Sequence, residues 1–134
     1  MASLVLTPER VGAVYDCLRF FVPFTRMKLP PADEIAFHIT RHNDRQAHYT
    51  CLKRAREGHE IAVSDFWQWT FSNLQKVVAH EMIHLYQSLR ETDSPITQHN
   101  AEFRVLSERV CKHFNWNVAT FIDPAWEEYQ PRKR

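Results

Sequence analysis

The chain has 134 residues and a mass of 16.0 kDa, enough for one domain around one modest core. Charge is nearly balanced, with 17 Lys plus Arg against 16 Asp plus Glu, which excludes a uniformly basic nucleic-acid wrapper and an acidic tail protein. Two glycines exclude Gly-rich phosphate loops and dinucleotide fingerprints, and three widely separated cysteines exclude a disulfide framework or a CxxC ribbon, which leaves eight histidines as the unusual count.

Met1–Leu6 lacks the basic start of a secretory signal and meets Pro8 at once. No run approaches the ~18 apolar residues of a membrane span. A soluble, cytoplasmic, monomeric protein without membrane contact is expected. Thr7-Pro8-Glu9 reads as a helix start, and Val11, Val14, Leu18 and Phe21 recur on one face until Pro23. Lys28–Pro31 reads as a linker, because Pro30-Pro31 suits neither helix nor sheet interior. Ile35–Thr40 alternates apolar and polar residues, and Ala47–Leu52 and His59–Ser64 follow as two more candidate strands, so a small antiparallel sheet is expected. Ser72-Asn73-Leu74-Gln75 fits a capping box, opening a helix to about Leu89 with Leu74, Val78, Met82, Leu85 and Leu89 on one face. A further helix begins near Asn100, with Phe103, Leu106, Val110 and Phe114 on its apolar face. Together these elements predict an α+β domain over 1–120, followed by an irregular basic tail over 121–134.

The central helix carries His80-Glu81-Met82-Ile83-His84, which is HExxH. Residues i and i+4 lie one turn apart on one helix face, so both imidazoles can reach a single metal ion. Glu81 points about 100° around the helix, beside the metal, where it can take a proton from water whose pKa zinc lowers to ~7. A helix that is apolar nearly all round carries two His and a Glu only if they have partners or a ligand. A catalytic zinc takes three protein donors. The next candidate is His99, at the entrance of the following helix, and Glu102 is the alternative third donor. With His99 as donor, Glu102 either orients an imidazole or simply favours the helix dipole.

His80–His84 followed by His99-Asn100-Ala101-Glu102-Phe103 resembles the SprT-like zinc metalloproteases, the Spartan and bacterial SprT group, whose pattern is HExxH and then H-G-x-x-F opening the next helix. The resemblance covers roughly Thr7 to Phe114 and implies a minimal zincin-like fold. It implies a Zn²⁺ ion held by His80, His84 and His99, with Glu81 as the catalytic residue and Phe103 as the family's aromatic. It also implies peptide-bond hydrolysis, including that of DNA-bound or crosslinked proteins. Asn100 stands where the family usually has Gly and tolerates the same turn. No CxxC pairs follow within the chain. The metzincin pattern is excluded, because Gln87 and Arg90 stand where it needs Gly and His.

The alternative is a metal-stabilised module that associates with DNA or protein and cleaves weakly or not at all. Arg41, Arg45, Lys53, Arg54 and Arg56 face only Asp44 over residues 41–56, which offers a weak nucleic-acid contact; solvated loops are the plainer account. Trp67 and Trp69 read as core more readily than as a stacking platform. Tyr49, Tyr86 and Tyr129 are candidates to stabilise an oxyanion. His38, His42, His48, His59 and His113 lack metal-ligand spacing.

Overall fold

The computed structural model describes residues 4–52, 58–124 and 129–132. Thr7 caps helix α1 (Pro8–Arg19) by accepting a hydrogen bond from the Arg10 N–H at 3.1 Å, and Pro8 sits in the first turn, where no N–H is needed. Val11, Val14 and Leu18 bury the predicted stripe. Phe21 does not join it. The helix stops at Arg19, the Phe20 and Phe21 N–H groups turn back onto the Cys17 and Leu18 carbonyls, and Phe21 stays 45% exposed. The stretch before Pro30 is more than a linker, since Phe24, Met27 and Leu29 are all buried. A proline pair removes backbone donors but leaves its apolar neighbours free to pack.

The three expected strands are present as β1 (Ile35–Thr40), β2 (Ala47–Leu52) and β3 (Gly58–Ser64). The sheet is mixed rather than antiparallel. Its order is β1-β3-β2, with β2 antiparallel and β1 parallel to β3. The cause lies in β3, whose Ile61, Ala62, Val63 and Ser64 are buried on both faces, so that this strand takes the centre. The more polar β2 is left at an edge. The Ser64 N–H donates to the Gln46 carbonyl at 2.8 Å. Residues 46, 48 and 50 therefore bond toward β3, and the backbone of Ala47, Tyr49 and Cys51 turns to the free edge.

Helix α2 (Phe71–Arg90) begins before the expected capping box. Thr70 is in extended backbone and accepts from the Asn73 N–H at 3.0 Å, so Ser72 already lies inside the first turn. Leu74, Val78, Met82 and Leu85 are buried, whereas Leu89 is 43% exposed in the last turn. Asn100 caps α3 (Ala101–Phe114) by accepting from the Phe103 N–H, and Asn117 caps the short α4 (Val118–Ile122) in the same way.

Four α-helices and one three-stranded sheet thus make an α+β fold among the described residues. Trp67 and Trp69 are buried, as their core reading requires. Beyond residue 120, Phe121 and Ile122 are buried in α4, and the Tyr129 ring packs edge-on against Trp67 and Trp69. The Arg132 N–H donates to the Phe66 carbonyl, which returns this segment to the strand–helix junction. No helix among the described residues is long and apolar enough to cross a membrane.

Candidate metal centre

The i, i+4 spacing on α2 stacks His80 and His84 one turn apart, and the capped entry to α3 brings His99 back against both. One ring nitrogen from each of the three lies within 4.8 Å of the other two; no other three His, Cys, Asp or Glu donors converge so closely among the described residues. Phe103 is wholly buried beneath them. Its ring centroid lies 5.0 Å from His80, 4.5 Å from His84 and 4.6 Å from His99. A rigid apolar ring in contact with all three imidazoles limits the rotamers each can take.

His80 is fixed further. Its Nδ1 lies 2.9 Å from the Phe121 carbonyl, which only accepts, so Nδ1 carries the proton and the Nε2 lone pair is left for a metal. A tetrahedral zinc with nitrogens at about 2.0–2.1 Å needs donors about 3.4 Å apart, which small imidazole rotations reach from here. The protonation states agree. Burial holds His80 down to about 4, against a smaller upward pull from the Phe121 carbonyl. Burial, with the His80 and His99 imidazoles nearby, holds His84 down to about 3. Burial also lowers His99, against a weaker upward effect of Asp123. All three imidazoles are therefore neutral at neutral pH and able to ligate a metal, and this donor set fits zinc.

Glu81 is buried beside them, and burial pushes its carboxyl up to about 8, partly offset by a hydrogen bond from the Tyr49 backbone N–H. That contact comes from the free edge of β2. His80, Glu81, His84 and His99 all border one cleft of about 750 Å³, which residues 46–51 also line.

The sequence pattern of the SprT-like family matches residues 24–121. The chain belongs to the SprT-like family. No curated protein and no solved structure matches it. The matched stretch of this SprT-like chain runs from the 3₁₀ turn at Phe24–Arg26 to the residue whose carbonyl orients His80.

Glu102 of the SprT-like protein is not among the converging donors. It accepts from the Gln87 side-chain amide at 3.0 Å and from the Thr92 hydroxyl, and these hydrogen bonds hold its carboxyl below the usual range. The same Gln87 amide donates to Asn100 Oδ1, and Asn100 Nδ2 donates to the Thr92 carbonyl. Glu102 thus ties the loop after α2 to the entry of α3 and does not touch an imidazole. Among the tyrosines, Tyr49 and Tyr129 line the cleft. Tyr86 instead accepts from Arg90 at 2.6 Å outside it. Arg41 lies 3.5 Å from Asp65, and Arg45 lies 3.3 Å from Asp44. Two of the five proposed nucleic-acid contacts therefore have acidic partners, and Lys53, Arg54 and Arg56 lie outside the described residues. The Phe121 carbonyl and the Tyr49 N–H escaped the sequence reading because a backbone group leaves no mark in residue identity.

Proposed function

We propose that this protein is a zinc-dependent metallopeptidase with a minimal zincin-like active site, in which His80, His84 and His99 hold Zn²⁺ and Glu81 handles the proton. The observation that carries this reading is the convergence of three neutral imidazoles, next to a buried carboxyl, on a cleft walled by a free strand edge. Three protein donors rather than four is the count of a catalytic zinc site. Zinc held there supplies Lewis acidity, both to polarise a scissile carbonyl and to lower the pKa of water to about 7. Glu81 takes the proton of the attacking water and returns it to the leaving amine. Glu81 is buried beside the three imidazoles, and the positive charge of a zinc ion held there would favour the carboxylate form that accepts the proton. The Phe121 carbonyl keeps His80 in the tautomer that presents Nε2. The outer edge of β2 at Ala47 and Cys51, on either side of the Tyr49 N–H that Glu81 holds, can pair with an extended peptide backbone and lay it beside Glu81. Such pairing is independent of sequence and suits unfolded segments, including those of proteins trapped on DNA.

The test is Glu81→Gln, assayed on an unfolded protein substrate with zinc loaded. The variant is expected to keep zinc and melt like wild type while cleavage falls by about 10²–10⁴, the range of a positioned general base. Equal cleavage by both proteins would overturn the peptidase reading.

A further inference from the structure

We infer that Gln46 is a specificity residue of the cleft, donating its side-chain amide to a peptide carbonyl about three residues from the scissile bond. This rests on the peptidase reading above. Gln46 is 8% exposed and borders the cleft, and its Nε2 is buried without a hydrogen-bond partner. Glutamine is a residue that folding usually leaves in water, and a buried amide donor lacking an acceptor bears a desolvation penalty that an apolar side chain avoids. Its own backbone does not answer it, because the Gln46 carbonyl is already taken by the Ser64 N–H.

The adjoining wall gives that donor a use. Gln46 stands at the entrance of β2, three residues before Tyr49, whose N–H meets Glu81. At strand rise this is about 10 Å. A peptide paired antiparallel with β2, the more stable arrangement, runs from Cys51 toward Gln46. The amide then meets the stretch on the carboxyl side of the scissile bond, just past the last residue that β2 can pair. A bond there rewards substrates that continue at least three residues beyond the cut. The cleft therefore disfavours cuts within two residues of a substrate's C-terminus, which argues against carboxypeptidase specificity.

Gln46→Met keeps length and volume but removes the donor. Two fluorogenic peptides identical around the cut, with either two or four residues beyond it, provide the measurement on the zinc-loaded protein. In Gln46→Met, kcat/KM for the longer peptide is expected to fall about five-fold more than for the shorter, the size of one neutral hydrogen bond, mainly through KM and with Tm unchanged or raised. Gln46→Glu, which sets an acceptor against an acceptor, is expected to fall further. An equal loss on both peptides, or a loss that follows a lower Tm, overturns the assignment. Fluorescence anisotropy of the same peptides on Glu81→Gln protein, with and without Gln46→Met, separates the two readings. If both peptides bind but wild type cleaves neither, the peptidase reading fails, and the long-to-short binding ratio still judges Gln46. If neither peptide binds, both readings fall.

Discussion

His80, His84 and His99 sit between two helices over a buried phenylalanine ring, whereas His38 and His48 stand on the outer strands of the sheet with Glu60 between them. Glu60 lies on the central strand, opposite Ala36 and Thr50, and its carboxylate reaches His38 at 3.5 Å and His48 at 3.8 Å. At His48 burial lowers the pKa and Glu60 opposes it. Around the helix-borne group burial leads, and among the described residues Asp123 is the anion that acts on His80 and His99. The difference shows what would suit a histidine to hold a metal here. The helix-borne rings converge, and His80 has Nδ1 committed to a carbonyl with Nε2 left available, whereas His38 and His48 are not part of any such convergence among the described residues.

Metal content is the most severe way to break that contrast. A single zinc per chain is expected in wild type and in His38→Ala and His48→Ala. His84→Ala and His99→Ala are expected to lose it, with affinity falling by more than the 10–100-fold that removing an outer partner costs. Metal analysis after gel filtration checks both sets. Zinc retained in His99→Ala, or lost in His48→Ala, would dissolve the distinction. Chelation should lower the Tm of wild type and leave that of His84→Ala in place.

The pH dependence of the metal-free protein sharpens the same contrast with a smaller effect. His80 and His84 have ordinary values of 6.5 that fold down to about 4 and about 3. As pH falls below 6.5 the unfolded chain takes up protons there that the native state refuses, so stability is lost. Glu81 has the opposite sign. Its carboxyl rises from 4.5 to about 8, so stability is lost as pH climbs from the lower value to the higher. Two histidines outweigh one glutamate on the acid side, and Glu81 acts alone above it. The site's contribution should therefore peak at about pH 6.5–7, with limbs of roughly 1.4 kcal/mol per pH unit for each net proton. Urea melts of chelated protein across pH 5–8 measure this. In Glu81→Gln the alkaline limb should vanish, and its persistence would show that burial of Glu81 is not its source.

The parts of this molecule that repeat along the chain were the legible ones. The 3.6-residue stripe located α1, α2 and α3, and side-chain caps at Thr7 and Asn100 marked where two of them start. His80, Glu81, His84 and His99 stood out because metal chemistry restricts both residue type and spacing. Sheet topology was legible only in retrospect. The run Ile61–Ser64 carries no polar interruption until its last residue, the mark of a strand covered on both faces, yet order and direction depend on tertiary packing that no local pattern encodes. The groups that tune the site are harder still. The Phe121 carbonyl and the Tyr49 N–H belong to the backbone, and the isolation of Gln46 Nε2 depends on surroundings brought together from elsewhere in the chain.

Glu102 supplies the smallest effect and the finest probe, because it is a carboxylate three residues from His99 that serves neither histidine group. Its two hydrogen bonds, from Thr92 and Gln87, close the loop that leads into α3. Gln87 is fully buried, so removing this acceptor leaves its amide with Asn100 alone. Glu102→Ala should therefore cost stability, about 1 kcal/mol once solvent screening of a partly exposed carboxylate is allowed for. Glu102→Gln, which keeps an acceptor oxygen, should cost less. Both variants should retain zinc, because the loop is held at several points and His99 also stacks on Phe103. Denaturant melts and metal analysis of the two variants separate the outcomes. Loss of zinc from folded Glu102→Ala would bring this carboxylate into the donor set, and the buried group could no longer be described as three neutral imidazoles.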